Sequence, residues 1–170
     1  MLLALTGFMG SGKTSVGRIV ADALGCPFMD LDEIIEKSEG RSIAEIFAAD
    51  GEDGFRTIEG KALRKVLSKY SASTAVLALG GGTVTIPGAT DLLKGKTLCI
   101  YLKASPETLA ANLEGQTDSR PLLNGEGLLE SIRERLAARE EFYNAAAHVI
   151  LDTDGLSPAE IADEIIIDCL

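Results

Sequence analysis

The sequence predicts an α/β protein built on a parallel sheet, and three observations carry that expectation. Short continuous apolar runs alternate with longer amphipathic segments along all 170 residues. A glycine-rich turn of fixed spacing follows the first apolar run and opens the first amphipathic segment. The composition, 46% hydrophobic and 25% charged, is that of an ordinary globular chain, and the length suits a single domain spanning residues 1–170.

The apolar runs fall at residues 2–5, 27–29, 75–79, 97–102 and 148–151. A strand covered by helices on both faces reads as such an unbroken run, because neither face meets water. The intervening segments predict helices over 13–24, 31–38, 43–49, 53–69, 106–113, 128–143 and 158–168. Alternation of this kind closes into a parallel sheet through right-handed crossovers. Ser157 and Pro158 form an N-cap and first helical residue, and Glu160 completes a capping box. Residues 114–127 break the alternation: the stretch is polar, carries Gly115, Gly125 and Gly127, and has Arg120-Pro121 at its middle. It reads either as a surface loop or as a mobile lid over a site.

Charge and cysteine usage narrow the function. Sixteen Lys and Arg against 26 Asp and Glu give a net charge of −10, which argues against nucleic acid as a partner. A small anionic ligand remains compatible, since it feels local rather than total charge. Cys26, Cys99 and Cys169 have neither disulfide nor zinc spacing, so a reducing, cytoplasmic setting is expected. No apolar run approaches the ~18 residues of a membrane span, and no basic stretch precedes the first apolar run as in a signal peptide. The partner expected is therefore a small molecule, with no nucleic acid and no membrane, and the chain acting as a monomer. His148, the single histidine, has no nucleophile beside it and reads as structural.

Gly7-Phe8-Met9-Gly10-Ser11-Gly12-Lys13-Thr14 matches G-x-x-x-x-G-K-[ST] in the strand–turn–helix context that the motif requires. Its glycines let successive backbone N–H groups turn inward on phosphate oxygens, and the helix N-terminus adds partial positive charge. Gly10, Ser11, Gly12, Lys13, Thr14 and Ser15 are thus expected to hold the phosphates of a nucleoside triphosphate. Lys13 reaches the β- and γ-phosphates, and the Thr14 hydroxyl holds Mg²⁺.

Several other residues could select the acceptor. Asp30 and Asp32 end the second predicted strand, where alternation would put them on one side at the carboxyl edge of the sheet. One could serve Mg²⁺ through water and the other take a proton from an attacking hydroxyl; alternatively they cap the next helix. In the helix 53–69, Glu59 interrupts the stripe of Phe55, Ala62, Leu63 and Val66, with Arg56 three residues before it. The pair is either an exposed i,i+3 contact or a buried carboxylate holding an arginine toward an anion. Arg139 interrupts the stripe of the helix 128–143 in the same way. It either snorkels or completes a two-arginine clamp. Gly80-Gly81-Gly82 follow the third strand and permit close approach by a ligand, or simply form a flexible loop. The third strand does not end in an acid, which leaves Asp30 to support the metal.

Taken in order, these motifs resemble those of the shikimate kinases along essentially the whole chain. The resemblance rests on Gly7 to Thr14; on Asp30-Leu31-Asp32 with Ile35-Glu36; and on Gly40-Arg41-Ser42-Ile43 with Glu45-Ile46-Phe47. It continues through Asp50-Gly51-Glu52 to Phe55, Arg56 and Glu59, then Gly80-Gly81-Gly82, Arg120-Pro121-Leu122, and Arg139 with Tyr143. It implies a three-layer P-loop kinase fold: a five-stranded parallel sheet in order 2-3-1-4-5 flanked by helices, an acceptor-binding helical segment near 31–62, and a lid near 114–127. It implies ATP-dependent phosphorylation of the 3-hydroxyl of shikimate, a step of aromatic amino-acid biosynthesis. Asp32 would meet that hydroxyl, and Asp30 would support Mg²⁺. Arg56, Arg139 and the Gly81 backbone would bind the carboxylate, with Glu59 positioning Arg56. Phe47, Phe55, Pro121 and Leu122 would line the ring pocket, and Arg120 would close onto the phosphates.

Two other readings remain. One is a kinase of the same fold acting on a sugar acid or nucleoside monophosphate; the other is a nucleotide-binding module without turnover. The sequence departs from the family pattern where adenine would stack: Asn112 stands where many members carry an arginine, and residues 152–157 also lack the arginine some members have.

Overall fold

The computed structural model describes residues 1–114 and 127–170. Five strands, β1 (Leu2–Thr6), β2 (Phe28–Asp30), β3 (Ala75–Ala78), β4 (Leu98–Lys103) and β5 (Val149–Asp152), form one parallel sheet in the order β2-β3-β1-β4-β5. The helices are α1 (Lys13–Leu24), α2 (Leu31–Glu39), α3 (Ile43–Lys69), α4 (Ala89–Lys96), α5 (Pro106–Leu113), α6 (Leu128–Ala146) and α7 (Pro158–Glu164).

The central strand explains why apolar runs become strands here. Leu2 and Ala4 of β1 pack with α3, α4 and α6 on one face, while Leu3 and Leu5 pack with α1 and α7 on the other. Both faces are covered, and all five residues of β1 are buried. Each fully buried Leu contributes about 1.5–3 kcal/mol, so the central run has little freedom to pair in another register. On one face α1 lies unusually close to the sheet: a methyl group at Gly17 would stand 2.5 Å from Phe28 Cε2 and 3.3 Å from Leu5 Cδ1. The Arg18 guanidinium sits 4.8 Å from the same Phe28 ring.

Four features depart from the sequence reading. First, the helix expected from residue 31 follows β2 directly, so Asp32 lies in its first turn and not at the end of the strand. Strand alternation therefore does not relate the two acids. The physical reason is the Asp30 side chain, whose Oδ1 accepts from the Asp32 amide at 2.9 Å and from the Glu33 amide at 3.3 Å, capping the helix. Second, the helices expected at 43–49 and 53–69 form one element, bent at Gly51, where φ is 72° and ψ −178°. Third, the sequence reading left out α4 and a 3₁₀ turn at Thr83–Thr85. Gly88 caps α4 without a side-chain bond, and the helix contains Gly95, so it lacks the usual start signal. Fourth, the last helix is α-helical only to Glu164 and continues as a π turn over Ile165–Cys169.

The Ser157–Glu160 capping box is present in full. His148 has the structural role expected: its amide donates to the Cys99 carbonyl at 2.7 Å, and its Nδ1 accepts from the Cys99 amide at 3.1 Å. Cys99 is buried in β4, and burial pushes its thiol up to about 12. No described helix is long and apolar enough to cross a membrane.

Candidate active site

Because all five strands run the same way, their carboxyl ends share one edge. There a cleft of about 930 Å³ opens, lined by residues that follow β1, β2, β3 and β5. Such edges are where open α/β sheets bind ligands.

The turn after β1 supplies the cradle. Gly10 and Gly12 take positive φ, 83° and 91°, which no L side chain adopts without strain. The turn closes with the Ser11 amide on the Phe8 carbonyl at 3.1 Å, and Gly12 starts α1. Lys13 is buried, and its Nζ donates to the carbonyls of Gly7 at 2.8 Å and Phe8 at 2.9 Å. Gly10, Ser11, Gly12, Lys13, Thr14 and Ser15 all line the cleft. The end of α5 braces the turn from behind: Asn112 Nδ2 donates to the Gly10 carbonyl at 2.9 Å, and a methyl at Gly10 would lie 2.8 Å from Leu113 Cγ.

Thr14 Oγ1 donates to Asp30 Oδ2 at 2.9 Å. A hydroxyl and a carboxylate beside a phosphate cradle are the oxygen donors Mg²⁺ accepts, since that ion keeps several waters and takes few protein ligands. Among the described residues there is no cluster of three or more His, Cys, Asp or Glu that could hold a metal.

The acceptor-side residues gather around Gly80-Gly81-Gly82. A methyl at Gly80 would lie 2.8 Å from Glu59 Oε2 and 3.2 Å from Asp32 Oδ1. Glu59 is 0% exposed, and both its oxygens are satisfied: Oε1 by Arg56 Nη1 at 2.8 Å and Oε2 by the Thr83 hydroxyl at 2.8 Å. This is what lets a carboxylate sit on an apolar face. Arg56 is held so closely to the loop that a methyl at Gly82 would overlap its Nη2. Phe47 and Phe55, whose ring centroids are 4.8 Å apart, line the adjoining wall.

Arg139 does not snorkel. It is 5% exposed, and its Cζ lies 5.5 Å from the Phe8 ring centroid. Among the described residues its Nη1 has no hydrogen-bond partner, and it would stand 3.4 Å from a methyl at Gly81. Arg139 borders the cleft through Gly81, whereas Arg56 lines it directly. A buried cation with an unsatisfied donor is costly, and an anion laid against Gly81 would satisfy it. The two arginines from separate helices thus flank consecutive glycines.

Two hydroxyl groups here had no role in the sequence reading. Thr83 holds the second oxygen of Glu59. The Tyr143 hydroxyl donates to the Gly81 carbonyl, and burial pushes that phenol up to about 12. Tyr143 stands in the sequence reading beside Arg139 among the motif residues, with no role of its own, and nothing in the pattern reveals its bond. Arg120, Pro121 and Leu122, with nearly all of the segment 114–127, lie outside the described residues.

A phosphate-loop turn, a Thr–Asp pair beside it and a polar pocket in the same cleft define a P-loop phosphotransferase acting on a small molecule. The family model for shikimate kinase matches residues 9–170. A shikimate kinase of Symbiobacterium thermophilum is 42% identical over 166 residues, covering 97% of this chain and 94% of its relative. One of Thermodesulfovibrio yellowstonii is 43% identical over 164 residues, covering 96% and 92%. The structure of the Acinetobacter baumannii shikimate kinase in complex with shikimate superposes with a TM-score of 0.91 at 34% identity, over 97% of this chain and 90% of that one. The chain belongs to the shikimate kinase family.

Proposed function

We propose that the protein transfers the γ-phosphoryl group of ATP to the 3-hydroxyl of shikimate, giving shikimate 3-phosphate. The observation that carries this reading is the buried Arg139 Nη1, unsatisfied among the described residues, behind Gly81, with Arg56 at Gly82, both glycines lining the same cleft as the phosphate cradle. Two guanidinium groups suit a carboxylate, and the nearby Asp32 suits a hydroxyl.

In this reading the amides of residues 10–15 and Lys13 bind the triphosphate, and Lys13 leaves the Gly7 and Phe8 carbonyls to meet the β- and γ-oxygens. Thr14 and Asp30 would hold Mg²⁺, which when bound supplies neutralisation of charge on the phosphoryl oxygens. Arg56 and Arg139 fix the acceptor by its carboxylate, and Glu59 with Thr83 keeps Arg56 in place. Phe47 and Phe55 cover the ring and exclude water. Asp32 orients the 3-hydroxyl and takes its proton as the O–P bond forms in line with the departing ADP. A monomeric enzyme of the cytoplasm fits the acidic composition and the three cysteines without pairing pattern.

A coupled ADP-release assay with Mg·ATP, with and without shikimate, tests the proposal. ADP release that depends on shikimate is expected. Release only with another sugar acid or a nucleoside monophosphate would overturn the choice of acceptor, and nucleotide binding without transfer to any acceptor would overturn catalysis.

A further inference from the structure

We propose that Tyr143 is a positioning residue for the acceptor: its hydroxyl fixes the peptide between Gly81 and Gly82, against which the anionic group of the acceptor is laid. The inference rests on the proposed acceptor site and adds to it the device that holds that site's backbone in shape.

Three successive glycines have more backbone freedom than any other sequence. A loop of this kind binds a ligand well only if its peptides are held in advance. The 3₁₀ turn holds two of them. The Gly80 carbonyl accepts from the Thr83 amide at 3.2 Å, and the Gly82 carbonyl accepts from the Thr85 amide at 3.0 Å and the Thr85 hydroxyl at 2.6 Å. Among the described residues, the hydrogen bond to the middle carbonyl, that of Gly81, comes from Tyr143. Every peptide in the described residues is trans. In a trans peptide the carbonyl and the next N–H point in opposite directions. Drawing the Gly81 carbonyl toward α6 therefore turns the Gly82 N–H away from it.

Tyr143 is built to keep that bond. It is 0% exposed, and its ring stacks on Tyr101 with centroids 4.8 Å apart at 24°. Tyr101 in turn donates to Glu140 Oε2 at 2.8 Å, and Glu140 pairs with Lys103 at 3.3 Å. Burial keeps the phenol protonated throughout the working pH range, so it remains a donor. Tyr143 also follows Arg139 by one helical turn on α6. The same stretch of helix thus holds both the glycine backbone and the guanidinium behind it. A buried tyrosine needs a partner for its hydroxyl; here the hydroxyl donates to the cleft loop and also meets the Arg139 side chain.

The test is Tyr143→Phe, with Tyr101→Phe as its control. Tyr101→Phe removes a hydroxyl from the same stack but none from the loop. KM for shikimate, KM for ATP, kcat and nucleotide Kd are measured for each. Tyr143→Phe is expected to raise KM for shikimate about tenfold, the size of one lost hydrogen bond at a binding loop, with kcat and nucleotide Kd within about twofold. Tyr101→Phe is expected to leave KM for shikimate within about twofold. An unchanged KM for shikimate in Tyr143→Phe overturns the inference, as does parallel loss of nucleotide and acceptor binding, which would mark a general packing role. A wild-type protein indifferent to shikimate would instead overturn the proposed function, so the two failures are distinguishable.

Discussion

Asp30 binds in two directions at once: Oδ2 accepts from the Thr14 hydroxyl at 2.9 Å, while Oδ1 holds the Asp32 amide at 2.9 Å. One carboxylate therefore ties the cradle to the start of the helix that carries Asp32. Asparagine caps helices about as well as aspartate but lacks the charge. Asp30→Asn should leave the thermal midpoint nearly unchanged and raise the Mg²⁺ concentration for half-maximal activity by about tenfold or more. A magnesium titration beside a melting curve decides the matter; an unchanged magnesium requirement would leave Asp30 with the cap alone.

Gly82 leaves no room for a side chain, since the added carbon would overlap Arg56 Nη2. Gly82→Ala should push Arg56 away from the loop. KM for shikimate should rise roughly tenfold to a hundredfold, the range of a lost charge-assisted bond, with nucleotide affinity retained. Steady-state kinetics with each substrate varied in turn would check this, and an unaltered acceptor KM would show that Arg56 does not bind it.

Glu59 sits fully buried between Arg56 and Thr83. Glu59→Gln keeps the shape and removes the charge, so Arg56 loses its strongest counter-ion and keeps only Glu52 at 3.5 Å. We expect a loss of about 3 kcal/mol in unfolding free energy and a raised acceptor KM. Urea denaturation measures the first; a loss below about 1 kcal/mol would show that the pair is not structural.

The alkaline limb of stability should fall early. Burial lifts Tyr143 to about 12 from an ordinary 10.0, and Tyr101 moves the same way through burial and its bond to Glu140. Above pH 10 the unfolded phenols lose protons that the folded ones keep, so the unfolded state binds fewer protons and stability declines with rising pH. The contribution is complete below 10 and for Tyr143 is lost by about 12, at up to about 1.4 kcal/mol per pH unit for each tyrosine. Urea midpoints between pH 8 and 11.5 should show the slope, and Tyr143→Phe should reduce it.

Much of this was legible in the chain because physical chemistry marks it locally. Strands covered on both faces had to be unbroken apolar runs, and Ser157-Pro158 with Glu160 had to cap a helix. Glu59 and Arg139 stood out as charges inside apolar stripes, which burial tolerates only with a partner or a ligand. The helix start after Asp30 was legible, but Asp32 was also counted with the strand, because a short strand feeds straight into a helix and only the side-chain cap marks the join. The α4 helix escaped because glycine caps it. Thr83 and Tyr143 escaped for a different reason: a hydroxyl on a turn or a helix carries no sign of what it will bond across the fold.

Gly17 shows how far the demands of phosphate chemistry reach beneath the surface. It lies outside the cleft lining, yet a larger residue there would have to displace the Phe28 ring or press the first helix, which carries Lys13 and Thr14, away from the sheet. Variants at this hidden position should therefore behave like defects in nucleotide handling, although the altered atom lies under the helix, against an aromatic ring.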